Sequence, residues 1–105
     1  MQNAVHDLLA LTPTLHDEVD FSVIERATPI LDRLAAPLSA ADIEALMSLL
    51  PANGDTAFGL NWTILHAIES SPAWPCWDLL AKSLDHEWHE LLLARLKNGG
   101  YASPA

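Results

Sequence analysis

Leucine and alanine recur at spacings of three and four residues along most of the chain, and prolines interrupt this pattern at short intervals. Such spacing is typical of amphipathic helices, whereas strands would alternate and be richer in Val, Thr and Tyr. The seven prolines in 105 residues limit the length of each helix, because proline breaks a helix interior. The sequence therefore predicts an all-α fold, a compact right-handed stack of six or seven short helices.

Capping signals place these helices along the chain. Ser39 with Asp42 forms an acidic variant of the capping box, and Asn98 with the two glycines after it is a typical helix stop. The predicted helices span about 3–11, 22–27, 29–36, 40–50, 56–70, 72–83 and 86–98. Their expected N-caps are Asn3, Thr28, Ser39, Asp55 or Thr56, Ser71 and Asp85, with Pro29 as a first helical residue.

The chain resembles itself when it is shifted by 46 residues. Pro29, Asp32, Leu34, Ala35, Leu38, Glu44, Leu46, Leu50 and Gly54 then fall on Pro75, Asp78, Leu80, Ala81, Leu84, Glu90, Leu92, Leu96 and Gly100. This predicts one helical domain over residues 1–100, with repeat-like units 25–54 and 71–100, followed by a frayed tail, 101–105. Two helical hairpins built by the same capping rules would also look alike, so both interpretations stay open.

The Pro-x-x-Asp opening of each unit, Pro29 to Asp32 and Pro75 to Asp78, resembles the first helix of a HEAT repeat. The resemblance implies helix pairs stacked into a short curved slab, in the manner of HEAT and armadillo proteins. Slabs of this kind bind other proteins along one face.

Charge is distributed unevenly. Five basic residues against 14 acidic ones give a formal net charge of −9, which argues against direct nucleic-acid binding and against attraction to an anionic membrane. Acids without a neighbouring base concentrate before Arg26, where Asp17, Glu18, Asp20 and Glu25 are candidate partner-binding residues. They form either an electrostatic docking face for a basic partner or a solvated surface that aids solubility.

Cysteine use and hydropathy indicate the compartment. One cysteine cannot form an internal disulfide, and no apolar run approaches the roughly 20 residues of a membrane helix. The first residues lack the positive segment of a signal peptide. We therefore expect a cytoplasmic protein that is not associated with a membrane.

Catalytic patterns are weak. His86, His89 and Glu90 share a helical face and could hold a metal, but their spacing is not HExxH, and the acids near this helix start also suit its dipole. The dipeptides His6-Asp7 and His16-Asp17 resemble those of helical metal-dependent phosphohydrolases. Cys76 is typical of a small core residue. We expect no catalytic residue, no metal, no cofactor and no enzymatic activity.

All four tryptophans lie in the second half of the chain, at positions 62, 74, 77 and 88. Trp62 continues a helical stripe with Phe58, Leu65 and Ile68, which predicts a place in the core. Trp74 lies between two prolines at a helix entry and is the best candidate for an exposed interface anchor.

The segment from Gly59 to Pro75, GLNWTILHAIESSPAWP, resembles small helical bacterial immunity proteins that are encoded beside polymorphic or contact-dependent toxins. The resemblance implies a cytoplasmic protein that binds its cognate toxin, for example a basic nuclease domain, and blocks it. It also implies structural roles for His66 and Glu69. Two alternatives stay open, a helical-repeat adaptor without inhibitory activity and a metal-dependent helical hydrolase, and the oligomeric state is undetermined.

Overall fold

Every regular element in the described part of the chain is a helix. The computed structural model describes residues 1–35, 37–51, 53, 55–75 and 86–99. Five helices lie within these ranges, and no strand does, which confirms the all-α prediction there. They are α1 (Asn3–Leu11), α2 (Phe21–Asp32), α3 (Ala40–Leu49), α4 (Leu60–Glu69) and α5 (Glu87–Asn98).

Helix α1 has the predicted bounds but not the predicted cap. Gln2 is the N-cap and makes no side-chain cap hydrogen bond. Its amide instead reaches the end of α2: Gln2 Oε1 accepts from the Ala35 N–H at 2.9 Å, and Nε2 donates to the Ala35 carbonyl at 3.1 Å. The expected cap Asn3 is therefore wrong: Asn3 is the first residue of α1, and the Gln2 side chain links the start of α1 to the segment after α2.

Helix α2 runs through the point where a break was predicted. Pro29 is an interior residue of α2, so the prediction of Thr28 as N-cap and Pro29 as first residue is wrong. The Thr28 hydroxyl donates to the Ile24 carbonyl at 2.9 Å, as Ser and Thr do inside helices, and both Thr28 and Pro29 are exposed. Packing of Ile24, Ala27 and Leu31 on the core stabilises the helix despite the missing proline donor.

The start of α3 confirms the predicted capping box. The Asp42 N–H donates to Ser39 Oγ, and the Ser39 N–H donates to Asp42 Oδ2, both at 3.1 Å. Asp42 also accepts from the Gln2 N–H at 3.1 Å and from Gln2 Nε2 at 3.4 Å. We call the group Gln2, Ala35, Ser39 and Asp42 the N-terminal junction, because it joins the start of α1, the end of α2 and the start of α3.

Burial and hydrogen bonding act in opposite directions on the Asp42 carboxyl. Burial raises its pKa, but the hydrogen bonds from Ser39 and Gln2 together outweigh burial, so the pKa lies below the usual 3.8. Asp42 is therefore ionised in the folded protein at neutral pH.

The last two described helices begin later than predicted. The expected N-caps Asp55 or Thr56 are wrong for α4, whose N-cap is Gly59 with φ of 90°. The expected cap Asp85 is wrong for α5, whose N-cap is His86. The predicted stop is confirmed, since α5 ends at Asn98 with Gly99 as C-cap.

Residues from every described helix form one hydrophobic core. Its fully buried members include Val5, Leu8, Leu15, Ile43, Leu46, Leu49, Ile64, Leu65, Ile68 and Leu92. Leu15, from the loop between α1 and α2, is held by its N–H, which donates to the Leu49 carbonyl at 2.8 Å. This loop is therefore attached to the core at Leu15.

The predicted repeat pairs α3 with α5. Leu46 and Leu92 are both buried, as are Leu50 and Leu96, and Glu44 and Glu90 are both exposed. Pro29 and Pro75 are not equivalent, because Pro29 lies inside α2 whereas Pro75 lies outside a described helix. The predicted helix over 72–83, the residue Leu80 and the tail, 101–105, lie outside the described residues, so the repeat stays a prediction.

Candidate functional site

The four acids predicted to bind a partner are exposed and lie close together along the chain. Asp17, Glu18 and Asp20 belong to the loop between α1 and α2, and Glu25 lies on α2. Asp20 is the N-cap position of α2, and its side chain makes no cap hydrogen bond.

Asp17 also has a structural role that the sequence did not indicate. Its Oδ1 accepts from the Ala57 N–H at 2.9 Å, and its own N–H donates to Asp55 Oδ2 at 3.0 Å. These hydrogen bonds fasten the acidic loop to the segment before α4, which is about 40 residues away in the sequence.

The segment before α4 has left-handed backbone at three successive residues. Ala57, Phe58 and Gly59 have φ of 48°, 57° and 90°. Positive φ is uncommon for residues other than glycine, so this conformation needs support from its surroundings. Burial of Ala57 and its hydrogen bond to Asp17 supply that support, while the Phe58 side chain is turned outward with 67% of its surface exposed.

Asn61 is the polar centre beneath this segment. It is fully buried, and its Nδ2 donates to the Leu15 carbonyl at 2.9 Å and to the Asp55 carbonyl at 2.8 Å. The same Asp55 carbonyl accepts from Trp88 Nε1 at 2.8 Å. We call Asp17, Asp55, Asn61 and Trp88 the Asp55 junction, because it joins the acidic loop, α4 and α5.

Three aromatic side chains are exposed in the described part of the chain. Phe21, Phe58 and Trp62 expose 66%, 67% and 38% of their surface. The prediction that Phe58 and Trp62 continue a core stripe is therefore wrong, although Leu65 and Ile68 of that stripe are buried. The irregular start of α4 moves Phe58 out of helical register, and Trp62 lies at the edge of the buried face.

Trp62 packs on Trp88, which is only 2% exposed. Their rings meet edge to face, with centroids 5.2 Å apart and planes at 76°, a favoured geometry for an aromatic pair. Together with Thr56, Glu87 and Leu91 they line a cavity of about 250 Å³. This cavity opens beside the segment that carries Phe58.

Trp74, the predicted interface anchor, is half-buried and packs against the hydrophobic core. The backbone N–H of Trp74 donates to the Ser71 carbonyl at 3.1 Å. The most exposed aromatic surface lies instead at Phe21 and Phe58, beside the acidic loop.

The histidine cluster at the start of α5 is used for packing and capping. His86 Nε2 lies 2.9 Å from the Leu50 carbonyl, and His86 Nδ1 accepts from the His89 N–H at 3.4 Å. The two rings stack, with centroids 3.9 Å apart. Both nitrogens of His86 are thus engaged, and no group of three or more metal-ligating side chains occurs among the described residues.

His89 is a buried, neutral histidine. Burial, the larger cause, and the neighbouring His86 together lower its pKa from 6.5 to about 4, while the Met47 carbonyl, which makes no hydrogen bond to the ring, acts in the opposite direction. Neither ring nitrogen has a hydrogen-bond partner among the residues the structure describes. Protonation of this ring is therefore unfavourable in the folded protein.

Two other acids singled out from the sequence, Asp7 and Glu69, are paired with arginines. Asp7 accepts from Arg33 at 2.7 Å, and Glu69 receives two hydrogen bonds from Arg95, at 2.7 and 2.8 Å. The paired arrangement of Glu69 agrees with the structural role predicted for it, and it raises the pKa of Arg95. His66 is exposed and its ring lies against Trp62, with centroids 6.4 Å apart.

No protein-family model, no curated protein and no solved structure matches this chain. Among the helices described, none has the length and apolar character needed to cross a membrane.

Proposed function

We propose that this chain is a protein-binding protein that neutralises a basic bacterial toxin by covering it, in the manner of an immunity protein. One observation carries the proposal: the Asp17 hydrogen bonds bring the acidic loop next to the segment before α4, which carries the exposed Phe58. We call this region the acidic–aromatic surface. It comprises Asp17, Glu18, Asp20, Phe21, Glu25, Phe58 and Trp62.

The acids of this surface are available to a partner. In the described part of the chain, the salt bridges join Arg33 to Asp7 and Arg95 to Glu69, and neither involves the loop between α1 and α2. The unneutralised carboxylates add to a net charge of −9. A field of this sign speeds encounter with a basic protein and weakens as salt is added.

The exposed aromatic side chains supply apolar area that a partner can bury, which charge alone does not provide. Rigid aromatic residues bury a large area at low entropic cost and are enriched among the residues that dominate binding energy. Phe21 follows the acidic loop directly, and Phe58 follows Ala57, whose N–H donates to Asp17, so two exposed rings are next to the acidic loop. Steering by the acids and anchoring by the rings suit a partner whose basic site includes some apolar surface.

The direct test uses the protein encoded directly upstream of this chain's gene, where the proposal places a toxin-like reading frame. Co-expression is expected to restore growth that this product alone inhibits, and the two purified proteins are expected to form a complex. Absence of both effects would contradict the proposal.

Charge reversal then tests the surface. The triple variant Glu18→Lys, Asp20→Lys, Glu25→Lys is expected to lower the association rate by about ten-fold or more at low salt. Asp17 is left unchanged because it fastens the loop. The control Asp32→Lys, Glu44→Lys, Glu90→Lys changes three exposed acids elsewhere and the net charge equally. Equal rates for the two triple variants would place the docking face outside the acidic–aromatic surface.

The alternative function, a helical-repeat adaptor, draws support from the shared burial of Leu46 with Leu92 and of Leu50 with Leu96. An adaptor would bind its partner without blocking it. Complex formation without growth rescue would favour this alternative.

A further inference from the structure

The cavity between α4 and α5 has the size of one side chain. Its volume of about 250 Å³ is below the range of roughly 300–1,000 Å³ typical of small-molecule sites. It opens at the edge of the acidic–aromatic surface, since Trp62 belongs to both. A protruding side chain of a docked protein therefore fits it better than a free metabolite.

The walls of the cavity are aromatic and apolar. The buried Trp88 holds Trp62 edge to face at 5.2 Å, and its own Nε1 is fixed to the Asp55 carbonyl at 2.8 Å. The half-buried Leu91 lies on the same side of α5, one turn beyond Glu87. The indole of Trp62 is thus held in place, although 38% of its surface faces solvent.

The charge of the cavity is negative. Among the described residues that line it, Glu87 is the charged one, and none of them is a lysine or an arginine. Within the described residues, Glu87 takes part in no salt bridge. A carboxylate beside an exposed indole favours a cation that can also stack on a ring.

We infer that this cavity receives an arginine side chain of the partner protein. The guanidinium lies against the Trp62 indole and donates to the Glu87 carboxylate, and its aliphatic stem packs on Leu91. Arginine suits the site better than lysine because its planar group stacks on aromatic rings and donates two parallel hydrogen bonds to one carboxylate. The inference rests on the proposed function, for which it names the group that is recognised.

The test uses the whole chain and a small probe, N-acetyl-arginine amide, with the tryptophan indole N–H signals followed by NMR. A saturable shift of the Trp62 signal is expected in the millimolar range. N-acetyl-citrulline amide is a neutral molecule of nearly the same shape, and its affinity is expected to be lower by about five-fold or more. The affinity of the lysine analogue is expected to lie between the two. No shift up to about 50 mM arginine probe, or equal shifts with citrulline, would overturn the inference.

Two variants locate the probe. Glu87→Gln is expected to reduce the affinity for the arginine probe to that for the citrulline probe. Glu90 is an exposed acid on the same helix, and Glu90→Gln is expected to leave both affinities unchanged. Equal effects of the two variants would show a general charge effect and overturn the site. Trp62→Leu is expected to abolish the preference, and Glu87→Gln keeps the test valid if Trp62→Leu does not fold.

Two further outcomes separate this inference from the proposed function. If the arginine probe binds but the toxin-like protein does not, the inferred arginine site is supported and the proposed toxin neutralisation is contradicted. If the toxin-like protein binds equally well to Glu87→Gln and the probe does not bind, toxin neutralisation stands and the cavity fails. Sedimentation that shows a dimer of the free chain, lost in Glu87→Gln, would make a second copy the occupant and overturn the inference.

Discussion

The N-terminal junction and the Asp55 junction both hold distant segments of the chain together, but they differ in the side chains that they leave exposed. Each joins segments that are far apart in the sequence by hydrogen bonds between side chains and backbone. The pairs Gln2–Asp42 and Asp17–Ala57 are both 40 residues apart in the sequence. The N-terminal junction uses a charged carboxylate and ordinary helix-cap geometry. The Asp55 junction also uses carboxylates, those of Asp17 and Asp55, but it adds the buried amide of Asn61, the indole of Trp88 and left-handed backbone that leaves Phe58 exposed.

This difference indicates separate roles. At the N-terminal junction, Asp42 is buried and its oxygens are occupied by Ser39 and Gln2, so nothing remains for a partner. At the Asp55 junction, the buried Asn61 supports a segment whose next residues outward, including Phe58, are exposed. We expect the first junction to affect stability alone, and the second to affect stability and binding together.

The largest effect is expected for Asn61→Ala. The substitution removes both Nδ2 hydrogen bonds and leaves the buried Leu15 carbonyl without that donor, which costs about 2–4 kcal/mol of the free energy of unfolding. Urea denaturation measures the change. Asn98→Ala, at an exposed position near the end of α5, is the control and is expected to change stability by less than about 0.5 kcal/mol. Similar values for the two variants would contradict a supporting role of Asn61.

Acid is expected to act first at the start of α5, through His89, which stacks on His86. The pKa of His89 is about 4 in the folded protein and 6.5 by its ordinary value, so the unfolded chain binds more protons between these pH values. The free energy of unfolding is therefore not reduced by His89 above about pH 6.5. It decreases as the pH falls toward 4, by on the order of 2 kcal/mol. The variant His89→Phe keeps a planar ring beside His86 and removes the titration.

Urea denaturation at pH 7 and pH 4.5 is expected to show a smaller pH dependence for His89→Phe than for the natural chain. The exposed His66→Gln serves as control and is expected to keep the full dependence. An unchanged dependence in His89→Phe would mean that another group is responsible.

The N-terminal junction is expected to respond to acid at lower pH, through Asp42. Asp42→Asn places an amide group where an oxygen now accepts hydrogen bonds, which costs about 1 kcal/mol at neutral pH, as for loss of a helix cap. Because the folded pKa of Asp42 is below 3.8, its contribution is present above about pH 4 and is lost as the pH falls through the folded pKa. The stability difference between the natural chain and Asp42→Asn is thus expected to shrink below pH 4, and a constant difference would contradict this account.

The smallest effect is expected for Gly59→Ala. An added Cβ at Gly59 would meet no atom within 4 Å, so the cost comes from the φ of 90° alone and is about 1 kcal/mol. Gly99→Ala is a matched control, because Gly99 has φ of −81°, which alanine adopts without strain. Thermal unfolding followed by circular dichroism compares the two, and an equal shift in Tm would show that the backbone before α4 is not strained.

Local signals in the sequence predicted much of the fold and little of the candidate site. The capping box of Ser39 and Asp42 and the stop at Gly99 were predictable because their partners lie within four residues. The exposure of Trp62 was not, since the same periodicity that groups it with Leu65 does not reveal where the buried face of α4 ends. Pro29 misled for a similar reason, because the core contacts of α2 outweigh its local effect.

By itself, then, the sequence determined the helical class, the excess of acid and its concentration before Arg26. Only the tertiary structure decided that the acidic loop lies beside Phe58 and that Trp62 and Trp88 enclose a cavity with Glu87. The physical reason is range. Helix periodicity and capping act over a few residues, whereas the Asp55 junction depends on contacts such as Trp88–Asp55 and Asn61–Leu15, which join residues 33 and 46 positions apart. Burial of Asn61 and Trp88 in a shared core makes those distant contacts stable, and it thereby creates the surface on which the proposed function depends.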